Sequence, residues 1–421
     1  MLLKIVQYVM NLGPTVILPL TITIIGIIFG QGFKKAFKSG ITIGIGFVGI
    51  NLVIGLLTTN LGAATQEMVS RYGLHLNIID VGWPAAASIS WASPIAAIMI
   101  VIAMLVNFLL LITKATNVVD IDIWNYWHFT AAGASVYVLT GGNWFLSILA
   151  GILYEIAVLK IADKTAPTVQ EFFGLEGVSL PTGSTAACGL LGIPIVKAVS
   201  KIPGVKNLHA DPESIQKKFG IFGEPMMIGL VLGIVIGILA GYDLGKTLQI
   251  GVSMGGVMFL MPRMVRILME GLIPVSESVR EFLQKKDFGK DRKLTIGLDA
   301  AVAVGHPAVI ATALVLVPIT LFLAVVLPGN QVLPFGDLTT ICFYVAFIVG
   351  AAKGNIVHSI IAGTIVMALV LLMATNISAF HTQMATMAQF TMPEGASTIS
   401  SLDMGGNFLN WIIIKIFQLF A

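Results

Sequence analysis

Ten apolar stretches follow one another along this chain, at residues 5–30, 40–57, 94–112, 124–139 and 144–161, then 225–240, 248–261, 309–327, 338–350 and 356–374. A helical span needs about 20 apolar residues. Several stretches fall short of that, which fits tilted or broken helices inside a bundle. Charged residues make up 11% of the chain and hydrophobic ones 57%, whereas a soluble domain carries about 25% charge. The pattern predicts an all-α polytopic membrane protein of about 10–11 transmembrane helices.

The acids between the stretches repeat. Asp80, Asp120 and Glu176 each have a counterpart about 218 positions later, at Asp299, Asp337 and Glu394. Residues 74–80 read LHLNIID and residues 293–299 read KLTIGLD, and Glu176-Gly-Val-Ser is echoed by Glu394-Gly-Ala-Ser. Five crossings per half is an odd number, so the second half enters from the opposite side. The expected organisation is two inverted repeats, 1–220 and 221–421. Acids at membrane depth are costly and usually functional, and matched acids in two inverted halves point to a carrier whose site lies between them.

Basic residues orient the bundle. With the N-terminus outside, all 24 Lys and Arg except Lys4, Arg71, Lys246 and Lys415 fall inside, the bias expected of cytoplasmic loops. The first apolar stretch is too long for a signal peptide and lacks a small-residue cleavage site, so none is expected. Two segments, 176–199 and 394–406, are rich in Gly and Ser and are neither loop nor span; both are expected to be re-entrant hairpins. The polar loops 197–223 and 263–293 carry amphipathic helix signals, the second through Met264, Leu268, Leu272 and Val275. They suit helices on the membrane surface, where a docking role for a soluble protein stays open.

Four polar breaks carry the chemistry. In Asp80-Val-Gly-Trp83-Pro an acid and an indole are presented from irregular backbone, an arrangement that suits a sugar-like ligand; capping by Asp80 and interfacial anchoring by Trp83 are the alternatives. Asp299 and His306 bracket an apolar run and are expected to face the bundle interior, as a hydroxyl-binding pair, a relay or a mutually satisfied structural pair. Phe335-Gly-Asp337 precedes the ninth span, where Asp337 is a natural cap beside a possible binding role. Asp120-Ile-Asp122-Ile-Trp124 precedes the fourth, in which His128 sits among aromatics. No Walker A loop, metal-ligand spacing or disulfide framework is present; Cys188 and Cys342 lie in apolar surroundings. No cofactor and no nucleic-acid partner is implied.

Taken in order, LGPTVILP, IGIGFVGI, DVGWP, DIWN-x-WH, EFFGLEG, KFG-x-FGEP, GILAGYD, LMPR, IGLD and PGNQVLPFGDL resemble the membrane (IIC) component of the galactitol-type phosphotransferase system (PTS), over about residues 5–410. That resemblance implies uptake of a hexitol and its presentation inside for phosphorylation. The donor would be a phosphocysteine on a separate IIB protein, charged in turn from IIA. It also implies a homodimer in the lipid of a bacterial inner membrane. Each protomer would have a scaffold, spans one, two, six and seven, and a core that moves as an elevator. The implied substrate site draws on Asp80, Trp83, His128, Thr182, Gly183, Ser184, Asp299, His306, Phe335 and Asp337. Members commonly continue through a further complete span, whereas this chain ends at Ala421, so its last helix is expected to be short. The competing expectations are a proton-coupled polyol carrier that needs no soluble partner and, with less to support it, a membrane hydrolase using Asp299 and His306.

Overall fold

The computed structural model describes residues 14–72, 76–120, 122–210, 220–285, 293–393 and 396–420. Helix makes up 72%. The first half holds α1 (Pro14–Ile28), α2 (Phe33–Tyr72), α3 (Trp83–Trp91), α4 (Ala96–Ile112), α5 (Tyr126–Leu139), α6 (Trp144–Phe172) and α7 (Gly183–Val199). The second holds α8 (Pro225–Ala240), α9 (Leu244–Lys285), α10 (Ala301–Val304), α11 (Pro307–Val326), α12 (Ile341–Ala351), α13 (Ile356–Asn376), α14 (Ser378–Met387), α15 (Leu402–Gly405) and α16 (Phe408–Phe417).

Local chemistry explains many boundaries. Asn143, Asn355 and Asn407 begin α6, α13 and α16, each accepting a backbone N–H three residues on, which satisfies a donor the helix itself leaves unpaired. Pro225 and Pro307 open α8 and α11, where a missing N–H costs nothing. Gly241 closes α8 at φ +78°. Ser93-Pro94 separates α3 from α4, and the two helices meet at 95°; proline cannot continue the ladder and displaces the residue before it from helical geometry.

Among the described residues three helices, α6, α11 and α13, are long and apolar enough to cross a membrane, or four if α3 and α4 form one broken span. The described parts of the other apolar stretches are helical too, in shorter helices or within the long, less apolar α2 and α9. One expectation is corrected. The amphipathic segment 263–285 is no separate surface helix: it continues α9, a single helix of 42 residues. It packs along the 40-residue α2, each roughly 60 Å long at 1.5 Å per residue. Helices α1, α2, α8 and α9 pack on one another; α7 packs on α12 and α13, α5 on α6, and α11 on α13. Leu20, Ile24, Ile28, Leu52, Ile238 and Val252 of the first group are exposed, an apolar surface suited to lipid or another protein.

The second correction is that the chain is not purely helical. Strands β1 (Ile78–Asp80), β2 (Val118–Asp120), β3 (Val178–Ser179), β4 (Thr295–Gly297), β5 (Val332–Leu333) and β6 (Thr398–Ser400) form two parallel sheets, ordered β5-β1-β6 and β2-β4-β3. Each sheet takes its centre strand from one half of the chain and both flanks from the other. Strands of two or three residues have no readable period, so the sequence is silent about them. Segment 176–199 is β3 followed by α7. Segment 396–406 is β6 followed by α15, while Glu394 lies outside the described residues.

Candidate functional site

All six strands run into helices, and the junctions converge. A helix N-terminus presents backbone N–H groups with no partner inside the helix. Here buried aspartates take them. Asp80, 0% exposed, accepts Gly82 N (3.1 Å) and Leu402 N (3.4 Å) on Oδ1, and Phe335 N (3.0 Å) and Asp337 N (2.9 Å) on Oδ2. Asp337, also 0% exposed, returns the favour: Oδ1 accepts Trp83 N at 2.6 Å and the Thr340 hydroxyl at 3.3 Å, and Oδ2 accepts the Ser401 hydroxyl at 2.7 Å and Asp403 N at 3.0 Å. The two motifs DVGWP and PFGD therefore clamp each other. Their glycines make the approach possible, because a Cβ on Gly336 would strike the Gly82 backbone, and Gly82 itself sits at φ +82°, a conformation only glycine adopts freely.

The second junction is built the same way. Asp299 Oδ1 accepts Ala301 N at 2.8 Å. Asp122 accepts Asp299 N (3.0 Å) and Trp124 N (3.1 Å). The Thr182 hydroxyl accepts Ala300 N at 2.7 Å and lies 3.1 Å from Asn125 Oδ1 and 3.3 Å from Asp299 Oδ2, either of which takes its proton. Among the described residues none of these carboxylates pairs with Lys or Arg. Backbone dipoles and hydroxyls do the work of counter-ions. A short turn follows Asp122 (Ile123–Asn125) as one follows Asp337 (Leu338–Thr340).

Between the junctions lies a small, partly open cavity, with about 460 Å³ of empty space when the open solvent at its mouth is counted. Trp83, Trp124, Trp127 and Phe343 give it aromatic walls, with Trp83 and Trp124 meeting edge to face at 5.6 Å. Asp299, Thr182, Ser184, Thr340, His128 and Asp403 supply polar groups. Five sequence candidates thus line one cavity: Trp83, His128, Thr182, Ser184 and Asp299. The other five do not line it. Asp80 and Asp337 are the clamps behind it. Phe335 is a 1%-exposed core side chain. Gly183 supports the wall from behind, where a Cβ would collide with His128 and Tyr154. His306 caps α11 through Nδ1, accepting Ala308 N at 3.2 Å, and its ring packs on Phe172 and Phe173. It does not pair with Asp299.

A buried array of hydroxyl-binding groups under aromatic walls fits a polyhydroxylated ligand, and the comparisons agree with that chemistry. A protein-family model described as "PTS system sugar-specific permease component" matches residues 8–395. The chain belongs to that family. Over 415 residues, 99% of this chain and 91% of the relative, the permease is 42% identical to the "PTS system galactitol-specific EIIC component" of Escherichia coli K12, and equally to that of Escherichia coli O157:H7. It is 38% identical over 413 residues, 98% of this chain and 94% of the relative, to a "Putative permease IIC component" of Escherichia coli K12.

Sequence reasoning passed over three polar or aromatic members of the permease's cavity, Thr340, Phe343 and Asp403, and counted Trp124 and Trp127 only as neighbours of His128. Asp403 is the consequential omission. Its Oδ1 lies 3.1 Å from His128 Nε2, and the two side chains are 5% and 4% exposed. The signal was present: an acid in the apolar run after Ser400-Ser401, in a segment otherwise read only as a hairpin.

Proposed function

We propose that this chain is the translocation subunit that takes up galactitol, or a closely related polyol, and presents it on the inner face for phosphorylation by a phosphorylated IIB protein, itself supplied by IIA. The observation that carries the reading is the cavity: Asp299, Thr182 and Ser184 offer acceptors and donors to hydroxyls, while Trp83, Trp124 and Trp127 cover C–H faces. A neutral polyol matches acid-bearing walls that would repel its phosphorylated product. That difference makes the trapping step irreversible in practice. Among the ten expected contacts, Trp83, His128, Thr182, Ser184 and Asp299 are assigned to the polyol directly. Asp80, Gly183, Phe335 and Asp337 shape the site, and His306 fixes the start of α11.

The architecture we assign follows from the same reading. Two inverted repeats, 1–220 and 221–421, supply the crosswise strands. Segments 176–199 and 394–406 are the re-entrant elements that carry Thr182, Ser184 and Asp403 to membrane depth. Helices α1, α2, α8 and α9 form the scaffold, and a homodimer across their exposed apolar face leaves the remaining helices free to carry the site as an elevator. The chain is placed in a bacterial inner membrane with about ten spans and its N-terminus outside. The test is uptake of labelled galactitol into vesicles with and without phosphorylated IIB, reading the chemical form inside. Galactitol phosphate formed only with the partner is expected; free galactitol accumulating without it and collapsing with the proton gradient would replace this reading by a secondary carrier.

A further inference from the structure

We infer that Asp403, positioned by His128, is the group that takes the proton from the substrate hydroxyl as that hydroxyl is phosphorylated; the inference rests on the group-translocation reading above. Transfer from a phosphocysteine forms an oxygen–phosphorus bond and breaks the sulfur–phosphorus bond. The thiolate leaves with the electron pair, and the attacking hydroxyl must lose one proton. A carboxylate that accepts this proton is a standard device of phosphoryl transfer to alcohols.

Buried carboxylates stand at the two junctions or face the cavity, and their hydrogen bonds separate them; Asp122 holds the N–H groups of Asp299 and Trp124 and does not line the cavity. Asp80 and Asp337 each accept four protein donors. Their oxygens are engaged by the chain itself, and neither residue lines the cavity. Asp299 lines the cavity but holds Ala301 N at 2.8 Å and sits within 3.3 Å of the Thr182 hydroxyl. Asp403 lines the cavity and accepts from one side chain, His128, on Oδ1 alone. Its backbone N–H is fixed by Asp337 Oδ2 at 3.0 Å and Ser401 Oγ at 3.2 Å, so the carboxylate is aimed by backbone as well as by the imidazole.

His128 supplies the orientation. A carboxylate only accepts, so the proton of a neutral imidazole sits on Nε2 and points at Asp403. That leaves Nδ1 as a bare lone pair, and Nδ1 is buried without a hydrogen-bond partner. The ring lies against Trp127, at 3.7 Å between centroids, and Tyr154, at 6.4 Å and nearly parallel, and Gly183 packs so closely on it that an added Cβ would strike the imidazole. This is a carboxylate steadied through one oxygen, on a residue that lines the cavity.

The test uses the full-length permease in nanodiscs with phosphorylated IIB. It measures galactitol affinity by calorimetry and galactitol phosphate formation at saturating substrate. Asp403→Asn retains the acceptor for His128 Nε2 and leaves the backbone contacts untouched. It is expected to bind galactitol within about three-fold of the unmodified protein and to phosphorylate it at least ~100-fold more slowly, in the range typical of a lost general base. Asp403→Glu, which restores a carboxylate, is expected to recover at least ten-fold of that loss. Phosphorylation by Asp403→Asn within three-fold of the unmodified rate would overturn the assignment. So would a loss of binding that matches the loss of rate, which would make Asp403 a binding contact. If the unmodified permease forms no galactitol phosphate, the group-translocation reading fails instead.

Discussion

Asp80 and Asp299 begin the same turn. Each accepts on Oδ1 the N–H of the residue two positions on, Gly82 at 3.1 Å and Ala301 at 2.8 Å. Their remaining oxygens then diverge. Asp80 Oδ2 is filled by two N–H groups of the other half of the chain, while Asp299 Oδ2 sits beside Thr182 at the cavity wall. The same residue in the same local motif is thus a staple in one place and part of the cavity lining in the other. Asp299→Asn should retain the fold and weaken galactitol binding about ten-fold, close to 1.4 kcal/mol, by calorimetry on the purified protein; unchanged affinity would remove Asp299 from the site. Asp80→Ala leaves four buried N–H donors unpaired, at about 1–3 kcal/mol each. It should fail to give a monodisperse protein in detergent. A stable Asp80→Ala protein with weak binding alone would mean that the clamp is not structural.

Helices here owe their placement to junctions rather than to their own faces. The apolar stretches form helices on composition alone. Where each starts is set by a glycine, proline or capping side chain, and how two starts meet is set by Gly82 against Gly336. Gly336→Ala places a methyl group against the Gly82 backbone, between segments fixed by Asp80 and Asp337, and neither neighbour is a flexible side chain that moves away cheaply. The expected cost is about 1–3 kcal/mol, read as a lower thermal midpoint by size-exclusion chromatography. Gly305→Ala is the matched control, because nothing lies within 4 Å of its added Cβ and its φ is −70°. Equal midpoints for the two variants would show that the glycine crossing carries no packing constraint.

Across the whole molecule, charge asymmetry and strand crossing make separate claims. The asymmetry assigns Lys201 to the inner side and Lys246 to the outer. In a background with Cys188 and Cys342 replaced by alanine, Lys246→Cys should react with an impermeant maleimide added to intact cells, and Lys201→Cys only after the membrane is opened. The reverse pattern would invert the orientation. The crossing of strands ties the halves together at both sheets, so neither half contains a complete site: Trp83 and Thr182 come from the first, Asp299 and Asp403 from the second. The two halves expressed separately should bind no galactitol alone and recover binding when co-expressed, measured on the co-purified pair. Binding by either half alone would refute a shared site.

Much of this was legible in the residues. Hydropathy is a local property, so the helical stretches could be read directly, and Gly, Pro and Asp clusters marked the breaks between them. Trp83, His128 and Asp299 were reachable for that reason: each lies at or near a polar break, whereas Thr182 and Ser184 came with the family resemblance. The long α9 was misread because an amphipathic pattern signals a helix without saying whether it continues the one before. The sequence by itself determined a helical membrane chain with buried acids at broken helix starts. Only the tertiary structure decided which acids bind the chain and which line the cavity, because a carboxylate's role depends on who fills its lone pairs. Those partners lie 254 positions away for Asp337 and Trp83, 322 for Asp80 and Leu402, and 275 for His128 and Asp403.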